Sequence, residues 1–426
     1  MRRSALLALV CMVGLAAAAG AQDKQAIWDQ MLSIGEQIRA LKPQNATDPA
    51  VLAQLESLIA QYRELGLSLG GVDPANLGLV GDRPSDRSPR VAPPNPPGAP
   101  CTQETTDFPS TDTPLAINDL ATTTSMTTVS GAGTFLWDLD VTTNITHTWN
   151  ADLNITLTSP AGTVVTISTA NGGSNDNVFD GTLWDDVGGA TNPPGPVSDN
   201  VFANLVVETP LVVEEALAAF VGEDPNGVWT LDIADTALAD TGSLASWNLA
   251  VTTLSENPPN TLVSQTNAVP VAIVDLTTVS STVTFSGVAP AYICDVNVTT
   301  NITHTWNADL DILLTSPAGT AVSLSTNNGG SNDNVYNGTL WDDDGGTGNP
   351  PGPATDNLYA NLVTETPLVA EEALGAFIGE DPNGLWTLSI ADEALADQGS
   401  FTWSMDVQAC ECVIPVELIE LSADPE

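Results

Sequence analysis

The stretch NITHTWNADLNITLTSPAGT, Asn144 to Thr163, returns as NITHTWNADLDILLTSPAGT from Asn301 to Thr320. Working outward from it, residues 144–244 align with 301–401 at a constant offset of 157 without a gap, and one deletion then brings Trp247 onto Trp403. Two copies of one domain therefore fill most of a 426-residue chain, which is too long for one small core.

The residues in each copy alternate. From Trp137 to Trp149 the odd positions read Trp, Leu, Val, Thr, Ile, His, Trp, and the even ones Asp, Asp, Thr, Asn, Thr, Thr. Successive side chains of a strand point to opposite faces, so this period of two predicts strands with one buried and one wet face. Similar alternation marks Leu153 to Leu157, Val165 to Ile167, Trp229 to Ile233 and Trp247 to Val251, with partners such as Trp386 to Ile390 and Trp403 to Val407. Turn formers separate the runs, as in Ser159-Pro160-Ala161-Gly162 and Asp224-Pro225-Asn226-Gly227. The expectation is an all-β chain of two tandem jelly-roll-like β-sandwiches, residues 104–252 and 260–408, with one short helix at Glu214 to Phe220. His147 and His304 fall in phase with the apolar face and read as hydrogen-bonded core histidines. Trp149, Trp229, Trp247, Trp306, Trp386 and Trp403 read as core. Trp184 and Trp341 lie beside paired aspartates and read as partly buried loop anchors; the other reading is an exposed sugar-stacking platform, as in a carbohydrate-binding module.

Ahead of the repeats, residues 1–21 carry Arg2 and Arg3, an apolar run and Ala19-Gly20-Ala21, the pattern of a signal peptide of bacterial character. A secreted or cell-surface protein is expected. Ile27, Met31, Ile34, Ile38 and Leu41, then Leu52, Leu55, Ile59, Tyr62 and Leu65, have helical spacing and predict a helical hairpin within 22–69. Residues 70–103 form a Pro-rich linker, and 409–426 a C-terminal tail. No later run has the apolar length of a membrane span.

The net charge is -44, and all nine Lys and Arg lie at or before Arg90. From Val91 onward 44 acidic residues stand without one Lys or Arg, so the repeats have nothing with which to replace the counterions of a polyanion, and nucleic acid is excluded as a partner. Beyond the leader there are four cysteines, Cys101, Cys294, Cys410 and Cys412. Their pairing stays open, and Cys294, which stands where the first copy has Trp137, is equally readable as a buried thiol.

The ordered motifs HTWNADLNITLTSPAGT, LWDD, GEDPNGVWTLDIAD and DTGSLASWNL, with HTWNADLDILLTSPAGT, LWDDD, GEDPNGLWTLSIAD and DQGSFTWSM in the second copy, resemble the P domain (P/Homo B) of the proprotein convertases furin and kexin and of secreted bacterial subtilisin-like proteases. The resemblance implies a jelly-roll sandwich that folds beside a calcium-dependent serine protease domain. The triad motifs of such a catalytic domain are not in the sequence, whose only histidines are His147 and His304. The protease activity is therefore not carried over.

Calcium takes six to eight oxygens, and carboxylates on flexible Gly/Asn loops meet that demand. The candidate ligands are Asp152, Asp176, Asp185, Asp186, Glu223 and Asp224 in the first copy, and Asp309, Asp333, Asp342, Asp343, Glu380 and Asp381 in the second. Turn formation and solvated charge are the other reading of these residues. The expected function is a non-catalytic, calcium-binding protein that mediates protein interaction outside the cell or at its surface, or else an accessory subunit of a secreted subtilisin-like serine endopeptidase.

Overall fold

The computed structural model describes residues 103–186, 195–254, 257–288, 292–345, 350–355, 357–395 and 397–410. The signal peptide, the helical hairpin, nearly all of the linker and tail, Cys101 and Cys412 lie outside the described residues.

Period two becomes strand wherever the sequence shows it. The first repeat contains β1 (Gln103–Pro109), β2 (Leu115–Ile117), β3 (Thr122–Val129), β4 (Phe135–His147), β5 (Leu153–Thr158), β6 (Val164–Thr169), β7 (Asp180–Trp184), β8 (Gly195–Pro196), β9 (Leu211–Val212), β10 (Gly227–Asp235) and β11 (Gly242–Leu254). The second contains β12 (Asn260–Ile273), β13 (Thr278–Phe285), β14 (Tyr292–His304), β15 (Leu310–Thr315), β16 (Ala321–Thr326), β17 (Asn337–Trp341), β18 (Gly384–Asp392) and β19 (Gly399–Cys410). In each repeat one sheet is ordered β3-β10-β5-β6 or β13-β18-β15-β16, and the other is built on β1-β11-β4-β7 or β12-β19-β14-β17. In the first repeat β9 and β8 extend the second sheet in parallel.

Along β4 every odd residue from Trp137 to His147 is buried, and the even ones are half-buried apart from Leu136. Inward residues of both sheets meet in one core per repeat: Val141, Leu249, Ile155 and Ile233 in the first, Val298, Val407, Ile312 and Ile390 in the second. Indole N–H groups inside these cores are satisfied, Trp247 by the Ser125 hydroxyl at 2.7 Å and Trp229 by the Pro225 carbonyl at 2.8 Å. One turn of the ladder leaves no room for a side chain: a Cβ on Gly242 would lie 2.0 Å from the Thr146 carbonyl oxygen, and on Gly399 1.8 Å from that of Thr303.

Two expectations change, and one open reading closes. Trp149 is not core but 45% exposed, and Trp306 is half-buried, because each strand ends at the histidine and the chain turns into a 3-10 segment, Asn150–Asp152 or Asn307–Asp309. The predicted short helix is a single 3-10 turn at Leu217–Phe220, matched by Leu374–Phe377. Cys294 is no free thiol: it forms a disulfide with Cys410, joining β14 to its neighbour β19.

The two repeats touch, and equivalent residues meet each other. Val212 and Ala216 pack with Val369 and Ala373, each pair separated by the repeat offset, and Gly375 stands where a Cβ would come within 2.5 Å of the Ala218 Cβ. Beside them Trp137 packs with Cys294, Leu254 and Cys410. Contact of like with like is the pattern of a two-fold interface, here within one chain.

Candidate functional site

The structure scatters the predicted ligands among distinct places in each repeat. Asp152 sits in the turn after β4, near the buried ring of His147. That ring places Nδ1 2.8 Å from the Trp149 carbonyl and Nε2 3.1 Å from Asp235 Oδ2; His304 repeats this with Trp306 at 2.9 Å and Asp392 at 3.2 Å. Burial lowers the pKa of His304, but the hydrogen bond and charge of Asp392 outweigh it and hold the pKa above the ordinary value. Both nitrogens of each ring are engaged, so these histidines tie the end of a strand to the facing sheet. Burial first, then the charges of Asp235 and Asp240, raises the pKa of Asp152. Asp309 occupies the matching buried place.

Asp224 is a turn former. Its Oδ1 accepts from the Asn226 backbone N–H at 3.0 Å and side-chain amide at 2.8 Å, which lowers its pKa; Asp381 binds Asn383 in the same way at 2.9 and 2.7 Å. The adjacent Glu223 accepts from the Thr163 hydroxyl, and Glu380 from that of Thr320. Asp176 and Asp333 are half-buried, their backbone N–H groups held by Asn204 and Asn361 at 2.6 and 2.7 Å.

Asp185, Asp186, Asp342 and Asp343 are buried at the ends of β7 and β17. They have acidic company that sequence reading missed. Pairing of Val141 with Trp184 carries Asp140 next to Asp185, with Asp138 close by. Burial, then the neighbouring Asp138 and Asp185, raises the Asp140 pKa, and burial with Asp185 raises that of Asp138. In the second repeat Asp295 is pushed up to about 7 by burial and by Asp344 and Asp342, and Asp343 to about 8, mainly by burial. Asp186 is raised well above the ordinary value, first by burial and next by the charge of Asp343. Asp138 and Asp140 were legible only as wet-face residues, because nothing local to β4 says which loop lies beside it. Among the described residues, no three His, Cys, Asp or Glu side chains converge on one metal position.

Trp184 and Trp341 are wholly buried, and their indole N–H groups donate to Thr143 and Thr300, each at 2.9 Å. A sugar has no access to them, which removes the platform reading.

The family described as proprotein convertase P-domain matches residues 136–251 and 293–407, together more than half of the chain. Among curated proteins none matches. Of solved structures, the serine protease of Aeromonas sobria in complex with a chaperone is similar at 19% identity, with a TM-score of 0.25 over 37% of this chain and 28% of that one. The major capsid protein of bacteriophage PM2 is similar at 8% identity, with a TM-score of 0.21 over 72% of this chain and 98% of that one. Likeness at this level carries nothing about function.

Proposed function

The chain belongs to the proprotein convertase P-domain family, in two tandem segments, and from that premise we propose that it is a non-catalytic extracellular or cell-surface protein whose paired P domains bind a partner protein. The observation that carries this reading is one loop found in both repeats. Leu205 and Leu362 stand 63% and 65% exposed, both at positive φ (60° and 61°), with exposed Val201 and Val206 beside the first and Leu358 and Val363 beside the second. A branched apolar residue held in the left-handed region and turned to water has both backbone strain and solvation against it, as binding loops often do. Two such loops on one chain offer bivalent contact.

Calcium is the proposed ligand of the acidic groups. The donor set is all oxygen, and the buried oxygens Asp186 Oδ1, Glu223 Oε2 and Asp343 Oδ1 have no hydrogen-bond donor, which fits a hard cation. Bound there, calcium would neutralise carboxylates that the repeats cannot pair with Lys or Arg.

The test of partner binding uses immobilised full-length protein and its Leu205→Ser/Leu362→Ser variant, exposed in parallel to the secreted fraction and the solubilised envelope of the producing organism. A protein retained by the wild type and released by the variant is expected, and equal retention refutes the loop as the binding surface. Retention of a subtilisin-like serine endopeptidase would select the second reading, an accessory subunit of such an enzyme, which the family match favours.

A further inference from the structure

At the contact between the repeats, Asp186 and Asp343 are related by the repeat offset of 157, as are the apolar pairs around them. Each is held by one oxygen. Asp186 Oδ2 accepts from the Ala218 backbone N–H at 2.9 Å, and Asp343 Oδ2 from that of Gly375 at 2.8 Å. The other oxygen of each, Oδ1, is buried without a hydrogen-bond partner. An unsatisfied carboxylate oxygen is costly in an apolar seam, and here the cost arises twice, in the same geometry, on the two sides of one interface. Asp343 also lines a cavity of ≈ 210 Å³ whose wall includes Asp295, Asp344 and Gly375 of the second repeat and Phe135 and Ala218 of the first. A water occupies about 30 Å³ of liquid, so the cavity has room for an ion with several waters.

The repeats themselves supply no counterion: they lack Lys and Arg, and both histidine rings are committed to Asp235 and Asp392. Since no three acidic side chains among the described residues converge on one metal position, an ion here would keep water in its shell, as hard cations bound by few carboxylates do. We propose that Asp186 and Asp343 together hold one hydrated divalent cation on the seam between the repeats, so that cation binding and inter-repeat docking are a single equilibrium. The inference rests on the calcium reading above and deepens it, by naming which carboxylates bind and what their binding controls.

Calcium chloride is titrated into the full-length chain by calorimetry, and thermal midpoints are recorded in calcium and in chelator, for wild type, Asp186→Asn, Asp343→Asn and a Glu104→Gln control on the exposed strand β1. The expected result is at least tenfold weaker binding and loss of the calcium-induced midpoint shift in both seam variants, with the control unchanged. In chelator, the neutral asparagines should leave the midpoint equal to wild type or higher, since each removes one of two buried acids whose ionisation burial and mutual repulsion oppose. Small-angle scattering adds a readout of docking: chelation should expand the wild type and leave the seam variants unmoved. A calcium shift that survives in both seam variants overturns the seam site while sparing the calcium reading. No calcium binding by the wild type overturns both.

Discussion

Replacing Trp184 with phenylalanine, Thr143 with valine, and both together isolates one buried hydrogen bond. The indole N–H of Trp184 donates to Thr143 Oγ1 at 2.9 Å, both residues are fully buried, and the ring packs against Phe179 at a centroid distance of 5.3 Å. Thr143→Val leaves the N–H without an acceptor in the core, at about 1–3 kcal/mol. Trp184→Phe loses the bond and leaves part of the indole volume empty, for about 1–3 kcal/mol more. In the double variant neither polar group remains, so its cost should fall short of the sum of the single costs by about 1–2 kcal/mol. Scanning calorimetry of the four full-length proteins measures this, each kcal/mol moving the transition of a domain of this size by roughly 2–4 °C. The first-repeat transition is the one that does not respond to Trp341→Phe. If the single costs add to within about 0.5 kcal/mol of the double, the buried bond is not coupling the strands, and the core placement of Trp184 loses its main energetic support.

Other outcomes follow from the same structure. His304, with its pKa raised above 6.5 in the fold, contributes stability that is complete below its unfolded pKa and is lost as pH rises through the folded value; His304→Gln should flatten the dependence of midpoint on pH above about 6.5. Gly242→Ala places a Cβ 2.0 Å from the Thr146 carbonyl and should cost about 3 kcal/mol or more, whereas Gly352→Ala, with open space around it, should stay within about 0.5 kcal/mol by calorimetry. The Cys294–Cys410 bond spans 116 residues, so a Cys294→Ala/Cys410→Ala variant should lose about 2–5 kcal/mol, read as a lowered midpoint of one transition that a reducing agent reproduces in the wild type.

The sequence by itself determined the repeat, the strand faces and the family. These follow from spacing along the chain: a period of two says which side of a strand is buried, wherever the strand ends up, and an offset of 157 says that whatever one copy does the other repeats. It also placed His147 and His304 in the core. The same rule failed at Trp149 because period continues past the point where the chain leaves the sheet, and nothing in the alternation marks that exit. What only the tertiary structure decided concerns pairs distant in sequence. Asp235 as the partner of His147, Cys410 as that of Cys294, Asp138 and Asp140 beside Asp185, and Asp186 within electrostatic reach of Asp343 are separated by dozens to hundreds of residues. Their proximity depends on strand order and on how one repeat packs against its copy. Local pattern dictates which face a residue takes; only the closing of the sheets and the meeting of the repeats dictates what stands opposite it.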